Sequence, residues 1–245
     1  MAADFFIPMR WSLKDIESAR KRARDKIVPV AGALADELNI GKNDDLFIVG
    51  GFVRDNVLAE LTNQKPDSKD LDIILPKRPS FENNPNILWK KENSFGGIKI
   101  GTKNFQEIDV FQPNATDVEL IVGQFFDFNC NALYYSHWHK DIYLAAPFYG
   151  FTSCKEINLE NYIYYNDQIE HRYSRATMIS RALKFQIMFR EKFGFETKLS
   201  STILYMLYEM EKDEEQEMFD YTKVKVKSIE IQNRIFNEYK NLKHK

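Results

Sequence analysis

A strand-to-helix junction at two adjacent glycines constrains this chain more than any other stretch. LFIVG, residues 46–50, is a short apolar run of the strand type, and VRDNVLAEL, residues 53–61, places its apolar side chains on one helical face. Gly50 and Gly51 join the two. Such a turn exposes unpaired helix N–H groups to an anion, and Arg54 could add a charged donor, but glycine is also needed there for steric reasons alone. The junction therefore predicts either a phosphate-binding loop or an ordinary tight turn.

Three acids downstream of the junction are candidate metal ligands. Asp70 and Asp72 are two residues apart in the predicted strand DLDIIL, so both side chains leave the same face. Close carboxylates repel each other unless a cation lies between them, and Mg²⁺ prefers oxygen ligands. A solvated, idle pair of acids is the structural alternative. Asp109, with Glu107 as the runner-up, lies on the polar face of the strand EIDVF. If the two strands are neighbours, the acids converge as in a two-metal nucleotidyl-transfer site.

The composition is that of a globular protein without a strong electrostatic field. The 245 residues are 44% hydrophobic and 29% charged, with a net charge of −2, so any binding of nucleic acid requires a local basic patch. No apolar run approaches the roughly 18 residues of a membrane span. The N-terminus carries Asp4 and lacks the apolar core of a secretory signal. Cys130 and Cys154 form no C-x-x-C motif, and we expect reduced thiols in a cytoplasmic protein.

The order of the predicted elements indicates an α+β fold. A helix over residues 12–39, with Ser12 as its N-cap, precedes a region of strands in which residues 97–111 alternate as a hairpin does. NALYYS and DIYLAAP form a second hairpin across HWHK. From about residue 155 the strand patterns fade, and helices are predicted over 171–193, 199–215 and 221–242. Runs of strands followed by runs of helices favour a sheet domain over residues 1–155 and a helical region over residues 156–245.

Several motifs resemble those of one known family and follow in the same order. VGGFVRD (49–55) together with KDLDIIL (69–75) resembles the head domain of the class II tRNA nucleotidyltransferases and bacterial poly(A) polymerases, in the polymerase-β superfamily. Three later stretches resemble its third-carboxylate strand, its D-F-T-x-N-A-L motif and the end of its neck helix: EIDVF (107–111), DFNCNALYY (127–135) and RALKF (181–185). The resemblance covers roughly residues 45–190. It implies a polymerase-β-like palm, a mixed sheet with flanking helices, followed by an α-helical neck-like region.

This resemblance implies a role for each candidate residue. Asp70 and Asp72 would bind Mg²⁺, or Mn²⁺ in its place, and Asp109 would complete the metal site and help to activate the acceptor hydroxyl. The remaining positions would hold the nucleotide, with Asp55 bracing the loop or contacting the sugar: Gly50, Gly51, Arg54, Asp55, Asn131, Arg175 and Arg181. The implied reaction is attack of a hydroxyl acceptor on the α-phosphate of an NTP. RNA is the favoured acceptor, and a tRNA 3′ end is one candidate.

The chain departs from the family pattern at three points. Phe125 and Phe126 replace two basic residues before the D-F-T motif. On the neck helix, Ser174, Arg175 and Met178 replace the residues that read the base in the family, so no base preference is implied, and Arg175 could supply a phosphate contact instead. The chain is also short for the family. We therefore expect a compact, divergent nucleotidyltransferase rather than a full CCA-adding enzyme.

Two other classes of function stay open. A transferase that modifies a small molecule or a protein would not need the regions that grip tRNA. A non-catalytic binding or regulatory protein of the same fold would explain the altered base-reading positions, although the three retained acids favour an enzyme. The basic stretches KVKVK (223–227) and KNLKHK (240–245) are either contacts for an RNA backbone or solvated surface. The sequence does not indicate an oligomeric state.

Overall fold

The chain divides into a sheet-bearing unit and a helical unit. The computed structural model describes residues 11–41, 44–66, 68, 70–76, 81, 83–92, 97–111, 118, 122, 126–159 and 174–244. Within these, the sheet-bearing unit comprises Trp11–Phe126 and Cys130–Tyr149, and the helical unit comprises Asp127–Asn129 and the residues from Gly150 onward. Among the described residues, the chain therefore passes between the two units at 126/127, 129/130 and 149/150.

The elements of the chain follow the α+β order that the sequence predicts. In chain order they are α1 Leu13–Leu38, β1 Phe47–Val49, α2 Gly51–Thr62, β2 Leu71–Ile74, β3 Ile87–Glu92, β4 Ile98–Thr102, β5 Ile108–Phe111, β6 Leu133–Ser136, β7 Asp141–Leu144, α3 Ala146–Cys154, β8 Glu156–Ile157, α4 Arg175–Phe193, β9 Lys198–Leu199, α5 Ser201–Tyr208, α6 Lys212–Lys225 and α7 Ile229–Lys243. A short 3-10 turn, Asn129–Asn131, precedes β6. Among the described residues, no helix combines the length and the hydrophobicity that a bilayer-spanning segment requires.

In the part of the chain that the structure describes, the main sheet has seven strands in the order β3-β4-β5-β2-β1-β6-β7. Strands β2 and β5 pair in parallel, and the other neighbours pair antiparallel. The two predicted hairpins, β4–β5 and β6–β7, are confirmed. Strands β1 and β2 are neighbours in the middle of the sheet, so the glycine junction and the D-x-D strand are adjacent.

The two faces of this sheet differ in burial. Ile48, Ile73 and Tyr135, which register with one another across β2, β1 and β6, are completely buried. The opposite face carries the candidate acids and a smaller apolar cluster formed by Val49, Ile74, Val118, Val122 and Tyr134. Because residues in register share a face, this second face is partly polar and can present a site.

Helix α1 begins at Ser12, the N-cap that the sequence predicts, and ends at Asn39. The Ser12 hydroxyl accepts a hydrogen bond from the Asp15 N–H, the Asp15 carboxylate accepts one from the Ser12 N–H, and Asn39 ends the helix in the left-handed conformation. Two salt bridges connect α1 to α2, because Glu60 binds Arg22 at 2.6 Å and Lys26 at 2.5 Å. The two helices pack against each other.

The helical unit is built around α4, which packs against α6 and α7. Ser174 caps its N-terminus, and Gly194 ends it in the left-handed conformation. Phe151, Phe189 and Phe195 form stacked and tilted ring contacts in its core. Both cysteines are free thiols: Cys130, in the sheet-bearing unit, is buried and Cys154 is exposed.

Two of the predicted helices have different bounds in the structure. The single helix predicted over residues 199–215 is wrong, because α5 ends before a new N-cap: Glu211 and Glu214 form a reciprocal capping box that starts α6. The end of α5 is closed by Lys243, whose Nζ donates to the carbonyl groups of Leu207, Tyr208 and Met210. Likewise, Ser228 caps α7, so the helix predicted over residues 221–242 is divided.

Candidate active site

The junction at Gly50 places a glycine turn directly against a carboxylate. Gly50 has φ +68°, a conformation that side chains rarely adopt, and a Cβ there would lie 3.0 Å from Asp72 Oδ2 and 3.6 Å from Phe126 Cε1. A Cβ on Gly51 would lie 3.4 Å from Ser68 Oγ. Among the described residues, no side chain caps the first turn of α2. The first N–H groups of α2 therefore have no side-chain cap, and the turn that leads into them lies beside the Asp72 carboxylate.

The strands that carry the acids are neighbours. Asp72 registers with Val49 on one side and with Asp109 on the other, and the pairing with β5 is parallel. Cross-strand partners share a sheet face at a spacing of about 4.8 Å, so Asp72 and Asp109 lie side by side. Asp70 precedes β2 and is exposed. The convergence that the sequence made conditional on neighbouring strands is met for Asp72 and Asp109.

Lys99 adds a positive charge at this point that the sequence analysis did not single out. It registers with Asp109, and its ammonium lies 2.9 Å from Asp109 Oδ2 and also bonds Glu107. Burial favours the uncharged amine, but the hydrogen bonds to Glu107 and Asp109 outweigh burial and raise the pKa of Lys99 above its usual value. Asp109 and Glu107 therefore already share a cation. Only the strand register reveals this, since Lys99 lies eight residues from Glu107 in an unremarkable GIKIG run.

These acids are suitable ligands for a hard metal ion but do not form a complete coordination site. In the described part of the chain, no three His, Cys, Asp or Glu side chains form a group that could hold a metal ion. The carboxylate oxygens of Asp70 and Asp72 are the ligand type that Mg²⁺ prefers. Lys99 already binds Asp109 Oδ2, so a metal ion at Asp109 would compete with the lysine ammonium. The donor set fits a divalent cation that binds together with a substrate supplying further oxygens.

Comparison by sequence finds no relatives of this chain, whereas comparison by fold finds similar solved structures. The sequence matches no family profile and no curated protein. Three solved structures superpose on it: a CCA-adding enzyme in its apo form I (18% identity, TM-score 0.59), a CCA-adding enzyme with CTP (17%, 0.59) and the Thermotoga maritima CCA-adding enzyme with tRNA (17%, 0.57). The fold is that of the CCA-adding enzymes.

The shared fold covers nearly all of this chain but only part of those enzymes. The three superpositions include 93%, 94% and 92% of the chain, and 54%, 56% and 54% of the CCA-adding enzymes. The chain thus spans a little over half of their length. The motif resemblance is confirmed at the level of the fold.

A buried network joins two motifs that the CCA-adding resemblance identified. Arg54 donates from Nε to Asp55 Oδ1 at 2.8 Å and from Nη1 to Asn131 Oδ1 at 2.6 Å. All three residues are at most 5% exposed. Arg54 and Asn131 are 77 positions apart, so the network ties the first turn of α2 to the turn before β6. The arrangement keeps the guanidinium beside the glycine turn, since a Cβ on Gly51 would lie 3.5 Å from Arg54 Nη2.

The remaining candidates divide between the two units. Arg175 and Arg181 belong to the helical unit: Arg175 donates to the Glu209 carbonyl at 3.1 Å and pairs with Glu214, and Arg181 pairs with Asp127. Their nucleotide-binding roles stay predictions. Phe126, at a position where the CCA-adding family has a basic residue, packs against the apolar cluster beside Gly50. Phe125 lies outside the described residues.

Proposed function

We propose that the protein is a metal-dependent nucleotidyltransferase that moves a nucleotidyl group from an NTP to a hydroxyl acceptor, with RNA as the favoured acceptor. One observation carries the proposal: the glycine turn at Gly50 and the carboxylate of Asp72 are adjacent, since a Cβ added at position 50 would lie 3.0 Å from Asp72 Oδ2. A phosphate-binding turn and an acidic strand are the two halves of a nucleotidyl-transfer site. The shared fold with CCA-adding enzymes solved with CTP and with tRNA supports the same function.

Each residue of the proposed site has a distinct task. Gly50 and Gly51 let the triphosphate approach the N–H groups of α2, while Arg54, held by Asp55 and Asn131, keeps the turn in place. Asp70 and Asp72, joined by Asp109 once Lys99 is displaced, would hold Mg²⁺ or Mn²⁺. A bound ion of this kind would ease deprotonation of the acceptor hydroxyl and stabilise the departing pyrophosphate. In the reaction, the acceptor oxygen forms a bond to the α-phosphorus and the bond to the pyrophosphate oxygen breaks.

The other parts of the proposal concern the helical unit, the domain bounds and the cellular compartment. Arg175 and Arg181 would contact the nucleotide from α4. The palm would correspond to residues 1–155 and the neck-like region to residues 156–245. The free thiols of Cys130 and Cys154 suit a cytoplasmic protein.

A non-catalytic nucleotide-binding protein is the second candidate. Lys99 favours it, because its ammonium occupies Asp109 where a catalytic cation would bind. In that case Asp109 and Lys99 are a structural pair, and the glycine turn binds a nucleotide without turnover.

Transfer of label separates these functions. The protein is incubated with each labelled NTP, Mg²⁺ or Mn²⁺ and total RNA, beside an Asp70→Ala/Asp72→Ala variant and an Asp25→Asn variant whose substituted acid is exposed on α1. Label on RNA that only the double variant abolishes supports the proposal, and label on a protein or small molecule corrects the acceptor. Nucleotide binding without any carboxylate-dependent transfer supports the non-catalytic candidate and overturns the enzyme.

A further inference from the structure

Trp89 lies on the edge strand β3, and its ring packs over a glycine of the neighbouring strand. It registers with Gly101 on β4, and a Cβ at position 101 would collide with Nε1 and Cε2 of the indole and lie 2.8 Å from the Gln106 carbonyl oxygen. Glycine at 101 therefore lets the ring settle against the sheet. Trp89 is nevertheless 42% exposed. An indole that is held by the sheet and still open to solvent is a preformed surface for stacking.

The strand register places this indole on the same side of the sheet as the candidate acids. One line of cross-strand partners runs through Lys91, Lys99, Asp109 and Asp72. Trp89 is two residues from Lys91, so both side chains leave β3 on that face. Lys91 is exposed. The line crosses three strand spacings, about 14 Å, between β3 and β2.

We propose that Trp89 stacks on a base of a single-stranded nucleic acid acceptor and that Lys91 contacts its phosphate backbone. This inference rests on the proposed nucleotidyl transfer and names the class of acceptor. An aromatic ring beside an exposed lysine is the combination that binds single strands of any sequence, because every base has a π-face and every nucleotide a phosphate. Trp89 lies two residues, about 7 Å, to one side of the line that ends at Asp72, so it is about 16 Å from that acid. A stacked strand advances about 3.4 Å per nucleotide, so about five nucleotides reach from Trp89 to Asp72. The reacting 3′ hydroxyl would then lie at Asp72 while an upstream base rests on Trp89.

The first test locates the contact directly. The chain has three tryptophans, Trp11, Trp89 and Trp138. A Trp11→Phe/Trp138→Phe variant makes Trp89 the sole indole, and its fluorescence is followed while an RNA oligomer of about ten nucleotides, within the range of single-strand site sizes, is added without NTP. Stacking predicts saturable quenching. Unchanged Trp89 emission on bound RNA would overturn the inference.

The second test measures affinity for the same RNA by fluorescence anisotropy. Trp89→Ala is expected to weaken binding about tenfold, the usual loss for one stacked base. Trp89→Phe should keep most of the affinity, because its ring still stacks. Trp138→Ala is the matched control, since Trp138 is 53% exposed on the turn between β6 and β7 at the other edge of the sheet. Equal affinities of the Trp89→Ala and Trp138→Ala variants would contradict the proposal.

These tests remain separate from that of the proposed function. RNA binding is measured without NTP, and NTP binding is measured for the same variants without RNA. A wild-type protein that binds NTP but no RNA overturns the Trp89 inference and leaves nucleotidyl transfer to another acceptor. A protein whose RNA binding depends on Trp89 but which transfers no nucleotide supports stacking at Trp89, overturns the enzyme and with it overturns the role of the bound RNA as acceptor.

Discussion

At the scale of single residues, the site depends on Gly50, which lies beside Asp72, and on Lys99, which pairs with the neighbouring Asp109. Gly50 leaves space for the Asp72 carboxylate and takes a backbone conformation that favours glycine. Lys99 neutralises Asp109, which is the next acid along the sheet. The local charge at Asp72 therefore depends on which cation, the lysine or a metal ion, is present.

Replacing Lys99 should strengthen metal binding. In a Lys99→Met variant, Asp109 and Glu107 lose their counter-charge, and their negative potential attracts a divalent ion instead. Removing a unit charge a few ångströms away at a partly exposed site is worth at least about tenfold in affinity. We expect tighter Mn²⁺ binding by electron paramagnetic resonance. Lys103→Met, at an exposed position beyond the end of β4, is the control, and equal affinities in both variants would refute the role given to Lys99.

Replacing Gly50 should cost both stability and nucleotide affinity. Gly50→Ala forces a side chain into a φ of +68° and against Asp72 Oδ2, so the free energy of unfolding should fall by about 2 kcal/mol. Gly32→Ala is the matched control, because nothing lies within 4 Å of its Cβ and alanine in the middle of α1 should stabilise by about 0.5–1 kcal/mol. Urea unfolding measures both. Similar values for the two variants would mean that the turn at Gly50 is not constrained.

At the scale of elements, the periodicity of hydrophobic residues predicted the helices and strands that are half buried and missed the strand that is exposed. Helix α1, the β4–β5 hairpin and the β6–β7 hairpin have clear patterns and are confirmed. Strand β3, ILWKKE, has no alternation because five of its six residues are exposed on a sheet edge, so no buried face leaves a pattern. The contact of Asp109 with Lys99 depends on register between strands, and a single sequence does not encode register locally.

The pairing of α1 with α2 should make stability depend on acid pH. Burial favours the protonated form of Glu60, but hydrogen bonds from Lys26 and Arg22 outweigh it and lower the pKa of Glu60 below its usual value. A lowered folded-state pKa stabilises the protein above the unfolded-state pKa, and the gain is lost as the pH falls through the folded-state pKa. Glu60→Gln should therefore cost about 1 kcal/mol at neutral pH, since Arg22 and Lys26 are half exposed, and nothing once Glu60 is protonated.

Chemical unfolding at neutral pH and at a pH below the lowered folded-state pKa of Glu60 checks this dependence. Asp25→Asn removes an exposed acid from α1 and should change stability little at either pH. A cost of Glu60→Gln that persists unchanged in acid would show that the effect comes from packing rather than charge.

At the scale of the whole molecule, the chain leaves the sheet-bearing unit, returns to it and leaves it again. Three residues, Asp127–Asn129, belong with the helical unit although the chain on both sides belongs with the sheet. Asn129 binds this segment to the helical unit. Its Nδ2 donates to the Glu156 carbonyl at 2.8 Å, and its Oδ1 accepts from the Asn158 N–H at 3.0 Å. Phe128 adds an edge-to-face ring contact with Phe185. The D-F-N-C-N motif thus serves both units within a few residues.

Removing the Asn129 side chain should loosen the helical unit. Asn129→Ala removes two partly buried hydrogen bonds, to the Glu156 carbonyl and from the Asn158 N–H, a cost of about 2 kcal/mol at about 1 kcal/mol each. Hydrogen exchange at Asn158 should speed up accordingly. Asn233→Ala, at an exposed position on α7, controls for the loss of an asparagine, and equal exchange rates in the two variants would argue against the anchoring role.

The buried bond between Arg54 and Asn131 has a consequence for the evolution of this protein. The buried Arg54 loses one of its hydrogen bonds if the Asn131 oxygen is removed, so positions 54 and 131 should change together across relatives. A relative that lacks a hydrogen-bond acceptor at position 131 should also lack arginine at position 54. This covariation of two positions 77 residues apart can identify distant relatives that overall sequence similarity does not detect.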